Sequence, residues 1–289
     1  MLLRLYLLAT MLVLLAFGAR RGRLRVGAVL LAYSILGPRR RRTGGGAVET
    51  WVMLHGLGGV AATWGPSLVS LARECRLVVP ELSALGGTAA PGGGLSVGQG
   101  IEVVTRLIER EGGGRAVTLA GLSLGGWIAV RIALARPDLV ERLVLIDAGG
   151  YRDQDWERIQ RLVTIADLDG VDRLYPVLFR TPPWVMRRSR RGFLRSFTSP
   201  GVRTVLRETR ERDAYDARDL SRLAMPVTLV WGEHDGLFTL ETARAMAAAI
   251  PGSRLYVLPG CGHAVHLECP RALAAVLQRV RRETPLSTA

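Results

Sequence analysis

Ser123, Asp235 and His263 are the side chains whose types and order could carry out acyl transfer. Such chemistry needs a hydroxyl to attack, an imidazole to take its proton and a carboxylate to hold the imidazole. Ser123 stands in Gly121-Leu122-Ser123-Leu124-Gly125-Gly126, between the apolar run Ala116 to Ala120 and the Ala- and Leu-rich stretch Trp127 to Ala135. That context predicts a strand, a sharp turn and a buried helix. The turn lifts the hydroxyl clear of a sheet, and Gly121 and Gly125 let backbone segments pass where a Cβ would clash. The helix start points free N–H groups at developing negative charge. Alone, the pattern also fits a glycine-rich turn that packs a helix on a strand, so its partners decide.

Four histidines are available as the base: His55, His234, His263 and His266. His263 follows the run Leu255 to Leu258 in Pro259-Gly260-Cys261-Gly262-His263, a loop that brings it over Ser123 at the carboxyl edge of a parallel sheet. His266, three residues on, is expected to be a satisfied packing histidine. Asp235, in Trp231-Gly232-Glu233-His234-Asp235-Gly236, is the expected acid one strand earlier. Asp147 is the fallback acid, and Glu233 is expected to face solvent or brace the turn. The oxyanion donors are expected to be the N–H groups of Leu124 and of Leu57, the latter in His55-Gly56-Leu57-Gly58-Gly59. His55 and Gly56 then support that loop.

Positioning these groups requires a sheet. Short, uniformly apolar runs at 51–54, 76–79, 117–120, 143–146, 227–231 and 255–258 alternate with helices expected over 63–74, around 101–108, behind Ser123, and over 240–250 and 271–282. Strands of that kind imply an α/β fold, a mostly parallel, doubly wound sheet covered on both faces. Leu24 to Pro38 reads as an opening antiparallel hairpin turning at Gly27-Ala28, and Arg39 to Arg42 with Gly44 to Gly46 as a solvated loop. Between Asp147 and Met225 the alternation stops, which predicts an inserted helical cap over the strand ends. The expected division is a hydrophobic segment at 1–20, a core at 21–147 and 225–289, and a cap at 148–224.

The formal net charge is +14, yet all 39 basic residues are arginine, with no lysine or asparagine in the chain. Together with the abundance of Ala and Gly, this reads as compositional bias. No nucleic-acid motif accompanies the charge, so no nucleic-acid partner is expected. Cys75, Cys261 and Cys269 lack metal-ligand spacing and are expected to be buried small apolar residues, with a Cys261–Cys269 bridge conceivable. No metal, nucleotide or other cofactor signature is present. Leu5 to Gly18 is almost unbroken apolar sequence followed by Arg20, Arg21, Arg23 and Arg25. This predicts membrane association through residues 1–20, as a transmembrane anchor with the catalytic domain on the cytoplasmic side. The alternative is a signal cleaved near Ala16-Phe17-Gly18, which implies export.

Three motifs occur in order: His55-Gly56, Gly121 to Gly126, and Gly260 to His263 with Glu268 and Pro270 behind. On these the chain, over Leu24 to Arg282, resembles a capped α/β-hydrolase of the lipase/esterase kind. Ser123 to Trp127 is similar to membrane-associated monoacylglycerol lipases and related carboxylesterases. The resemblance implies hydrolysis of a small-molecule carboxylic ester, with an apolar acyl or monoacylglycerol-like group, through an acyl-enzyme on Ser123. A serine nucleophile argues against the dehalogenases and epoxide hydrolases of the fold. The family's Asp-, Pro- and Gly-rich turn after the second core strand is replaced by Glu81 to Thr88. A C–C bond hydrolase of dienoate products, a cofactor-free haloperoxidase-like activity and a non-catalytic ligand receptor are the alternatives. The cap stretch Pro182 to Arg191 reads either as a lipid-surface contact or as a solvated helix. No oligomeric state is implied.

Overall fold

Valine- and leucine-rich runs pair in the middle of the sheet, where strands bury both faces once helices cover them. The computed structural model describes residues 2–16, 18–38, 48–209 and 213–283. Its sheet has eight strands: β1 (Arg20–Val26), β2 (Val29–Leu36), β3 (Thr50–Leu54), β4 (Arg76–Pro80), β5 (Val117–Leu122), β6 (Val140–Ile146), β7 (Val227–Gly232) and β8 (Arg254–Leu258). Their order is β1-β2-β4-β3-β5-β6-β7-β8. β2 is antiparallel to both β1 and β4, and every later pair is parallel. The hairpin turns at Gly27-Ala28 as the sequence predicts. The loop expected at Arg39 to Arg42 and Gly44 to Gly46 lies outside the described residues.

Register brings the chemistry to one edge. Leu54 pairs with Gly121, Leu122 with Ile146, Ile146 with Val230, and Gly232 with Leu258. The residues that follow β3, β5, β6, β7 and β8 therefore emerge side by side at the carboxyl ends. The strand order reverses around β3 and β5, where ligands bind in open α/β sheets.

The helices, in chain order, begin with α1 (Leu2–Ala16), α2 (Gly65–Leu68), α3 (Val97–Glu111) and α4 (Leu124–Ala135). α3 starts in a reciprocal capping box between Ser96 and Gln99, which satisfies two otherwise orphaned N–H groups. The helix expected over 63–74 is broken: a 3-10 turn at Ala61–Trp64, the single turn α2, and a second 3-10 turn at Leu71–Arg73. Gly65-Pro66 explains the break, because proline lacks the N–H that a continuous helix needs.

Between β6 and β7 run α5 (Trp156–Val163), α6 (Leu168–Leu178), α7 (Trp184–Arg187), α8 (Arg190–Phe197), α9 (Pro200–Glu208) and α10 (Ala217–Leu220). The two ends of this excursion are tied together by a β-bridge between Tyr151 and Tyr215 and by the Tyr215 hydroxyl, which donates to the Gly149 carbonyl at 2.8 Å. The chain ends in α11 (Leu240–Ala249), α12 (Val265–Glu268) and α13 (Pro270–Arg282).

The expected transmembrane anchor is corrected by α1. It has fifteen residues, and among the described residues no helix is long and apolar enough to cross a membrane. A span needs about 20 apolar residues. Instead α1 packs against α2, α7 and α8, with Leu14 buried, while Leu5, Leu8, Leu12 and Leu15 are exposed. The hydropathy that suggests a membrane segment is thus partly explained by a face of α1 that packs on the protein itself.

The expectation that all three cysteines are merely buried apolar residues is also corrected. Cys261 and Cys269 form a disulfide, and Cys75 is free and buried.

Candidate active site

The turn between β5 and α4 forces Ser123 into φ 53°, ψ −117°, an uncommon conformation for a residue with a side chain. Two glycines permit it. A Cβ on Gly121 would lie 2.3 Å from the Gly125 carbonyl oxygen, and one on Gly125 would lie 2.4 Å from that of Leu54. The first intrahelical bond of α4 runs from Trp127 N–H to the Ser123 carbonyl, so the N–H groups of Leu124, Gly125 and Gly126 precede the ladder at the positive end of the helix.

Asp235 and His263 meet across the ends of β7 and β8. His263 Nδ1 lies 2.8 Å from Asp235 Oδ2, with both side chains buried. The other carboxylate oxygen, Oδ1, accepts the N–H groups of Leu237 at 2.8 Å and Phe238 at 2.9 Å. Those two bonds fix the carboxylate, and the pair fixes the tautomer: Nδ1 donates and Nε2 is free to accept. The ring edge of Phe238 packs on the imidazole at 5.2 Å.

Asp147, the fallback acid, is fully buried beside this pair rather than remote from it. Its Oδ1 accepts the Gly232 N–H at 2.8 Å, and ligating atoms of Asp147, Asp235 and His263 all lie within 4.8 Å of one another. Burial, and then the charge of Asp235, push the Asp147 carboxyl well above the ordinary carboxylate range. Three such donors could surround a cation, but His263 Nδ1 is engaged by Asp235 and Asp147 Oδ1 by a backbone N–H.

The loop after β3 approaches the same point. A Cβ on Gly56 would sit 3.1 Å from that of Ser123, so the backbone of this loop passes against the Ser123 side chain. His55 Nδ1 donates to the Gly56 carbonyl at 2.9 Å, and Nε2 accepts the Leu82 N–H at 2.9 Å. Burial depresses this imidazole to about 4, so it is neutral. Its 3.8 Å approach to Glu81 is therefore no ion pair. His266 is likewise pushed down, to about 3, by burial and then by the neighbouring His263 and His55. It packs on Trp64 at 5.5 Å, as a packing histidine should, yet among the described residues its Nδ1 has no hydrogen-bond partner. Glu233 is half exposed and braces the turn, accepting the Gly260 N–H at 2.9 Å.

Glu81 is a site residue that sequence reasoning did not single out. It is 4% exposed, its Oε2 accepts the Ala61 N–H at 2.9 Å, and burial pushes its carboxyl up to about 7. The signal was present in the unusual loop Glu81 to Thr88, but nothing local shows that this carboxylate is buried. Glu268 is another structural tie. Its carboxylate accepts N–H groups from Gly262 at 2.7 Å, from Arg180 at 3.3 Å and from Thr181. It thereby joins the His263 loop to the segment between α6 and α7.

Ser123, His263, Leu57 and Leu124 all line one cavity of about 770 Å³. Most of its remaining wall is apolar, with Phe193, Phe197 and Met186 from the helices between β6 and β7 and Leu3, Leu7 and Met11 from α1. Such a volume and lining suit a small molecule with a substantial apolar part.

Comparison with known proteins agrees with this architecture. The profile of the alpha/beta hydrolase family matches residues 51–276. The pimeloyl-[acyl-carrier protein] methyl ester esterase of Nitrosomonas europaea is 26% identical over 246 residues, covering 76% of this chain and 90% of that protein. Among solved structures, a membrane phospholipase A, described as a novel bacterial virulence factor, superposes with a TM-score of 0.80 at 21% identity, covering 98% of this chain and 93% of that one. The 2-hydroxy-6-oxo-6-phenylhexa-2,4-dienoate hydrolase of Rhodococcus sp. strain RHA1 superposes with a TM-score of 0.75 at 20% identity, covering 92% and 99%.

Proposed function

The chain belongs to the alpha/beta hydrolase family and is a hydrolase, and from that premise we propose that it cleaves carboxylic esters through an acyl-enzyme on Ser123. The observation that carries this reading is the Asp235–His263 contact at 2.8 Å, with Ser123 and His263 on the wall of one apolar cavity. Ser123 Oγ attacks the ester carbonyl while His263 Nε2 takes its proton, and Asp235 stabilises the imidazolium. The N–H groups of Leu124 and Leu57 receive the oxyanion. Collapse of the tetrahedral intermediate expels the alcohol, which takes the proton from His263. Water then attacks the acyl-enzyme with His263 again as base, and releases the carboxylic acid.

Residues 148–224 act as a cap that roofs the site, since Met186, Phe193 and Phe197 face the cavity from that segment. Exclusion of water there strengthens the electrostatic stabilisation of the oxyanion. His55 and Gly56 shape the loop that presents Leu57. The one esterase among the relatives above is in keeping with an ester substrate.

Purified wild-type protein is expected to hydrolyse short aryl esters, and Ser123→Ala is expected to lose that activity with its fold intact by circular dichroism. Hydrolysis by Ser123→Ala at the parent rate rules out the mechanism. The same triad can serve a C–C bond hydrolase, so a dienoate ketone-cleavage assay run beside the ester series separates the two reactions.

A further inference from the structure

We propose that α1 is the distal wall of the substrate cavity, and that this wall selects esters whose acyl part is an unbranched chain of medium to long length. The inference rests on the ester-hydrolase reading above. Leu3, Leu7 and Met11 stand one turn apart on α1 and all line the cavity that Ser123 and His263 open into. At 1.5 Å per residue this stretch gives a continuous apolar strip about 12 Å long. Phe193 and Phe197, stacked with centroids 4.4 Å apart on α8, line the same cavity. An elongated aliphatic group fits such a strip; a polar or compact one leaves it bare.

α1 is seated rather than merely adjacent. Its amino-terminal part meets the helices between β6 and β7 at Gly192, where a Cβ would lie 3.2 Å from that of Leu3. Further along, Thr10 meets Gly65 of α2, where a Cβ would lie 2.7 Å from the Thr10 methyl. Two glycines thus admit the helix, one on α8 and one on α2, and α1 bridges the space between them. Each methylene that moves from water onto this apolar surface is worth up to about fourfold in kcat/KM. Selection by chain length then follows from how far along Leu3, Leu7 and Met11 the acyl group reaches.

The test compares full-length wild type, Leu7→Trp and Leu5→Trp on p-nitrophenyl butanoate and dodecanoate. Leu5 faces solvent on the opposite side of α1, so Leu5→Trp is expected to leave both rates unchanged. Leu7→Trp is expected to lower the dodecanoate-to-butanoate ratio of kcat/KM at least tenfold. An active wild type whose ratio is the same in Leu7→Trp overturns the wall. A wild type inactive on both esters overturns the ester reading instead. If Leu7→Trp does not fold, Leu7→Ala decides: it is expected to shift the preference from dodecanoate towards hexadecanoate, and an unshifted preference overturns the proposal.

Discussion

Replacing Glu81 by Gln isolates the effect of a buried, proton-holding carboxyl on stability. Burial raises Glu81 from 4.5 to about 7, partly opposed by the Ala61 N–H that its Oε2 accepts. Between those values the folded protein keeps a proton that the unfolded chain has released. Stability therefore falls as pH rises through this window and levels off above it. At about 1.4 kcal/mol per pH unit, the loss across the window is about 3 kcal/mol. Gln is neutral throughout, matches the shape, and keeps an oxygen for the Ala61 N–H, so its contribution is flat with pH. Thermal unfolding followed by circular dichroism from pH 5 to pH 8 is the assay. The two proteins are expected to melt close together at pH 5 and to separate as pH rises, Glu81→Gln becoming the more stable. A change of 1 kcal/mol corresponds to roughly 2–4 °C in a chain approaching this size. A difference in melting temperature that stays constant over this range would refute the reasoning.

Asp235→Asn is expected to place an amide against His263 Nδ1, favour the wrong tautomer and lower kcat by about 10⁴, read on an aryl ester with KM little changed. Gly125→Ala forces a methyl against the Leu54 carbonyl at 2.4 Å, and is expected to lower the melting temperature markedly or prevent folding, as seen in soluble yield and unfolding curves. Replacing Cys261 and Cys269 together by Ala removes a bond that spans 8 residues of sequence. The loop-closure contribution of such a bond is about 2.5 kcal/mol, measurable by denaturant unfolding against the oxidised parent.

Much of the fold and the candidate site is legible because its determinants are local. The apolar run, the glycines at 121 and 125 and the small-residue helix behind Ser123 state a strand, a turn and a helix within twenty residues. Asp235 and His263 each stand in a short loop just past a clear strand, so their strand ends could be named, although their 2.8 Å contact requires the register between β7 and β8. Although the helix was expected to run unbroken over 63–74, its break at Gly65-Pro66 was written locally too. α1 was not: with Leu3, Leu7, Met11 and Leu14 on one side and Leu5, Leu12 and Leu15 on the other, its sequence is apolar all round, and composition does not separate a packed helix from a span. The burial of Glu81, and of Asp147, which was named only as the fallback acid, was hidden for a different reason. What makes them unusual is the loss of water around a carboxyl, which depends on residues far away in sequence such as Ala61 and Gly232.

The Glu268 carboxylate has a kinetic consequence. Because it holds the backbone of Gly262 on one side and of Arg180 and Thr181 on the other, the segment between α6 and α7 is tied to the loop that carries His263. On the proposed mechanism, an opening that lifted Arg180 and Thr181 would strain the Asp235–His263 contact, whereas an opening elsewhere along residues 148–224 would leave it in place.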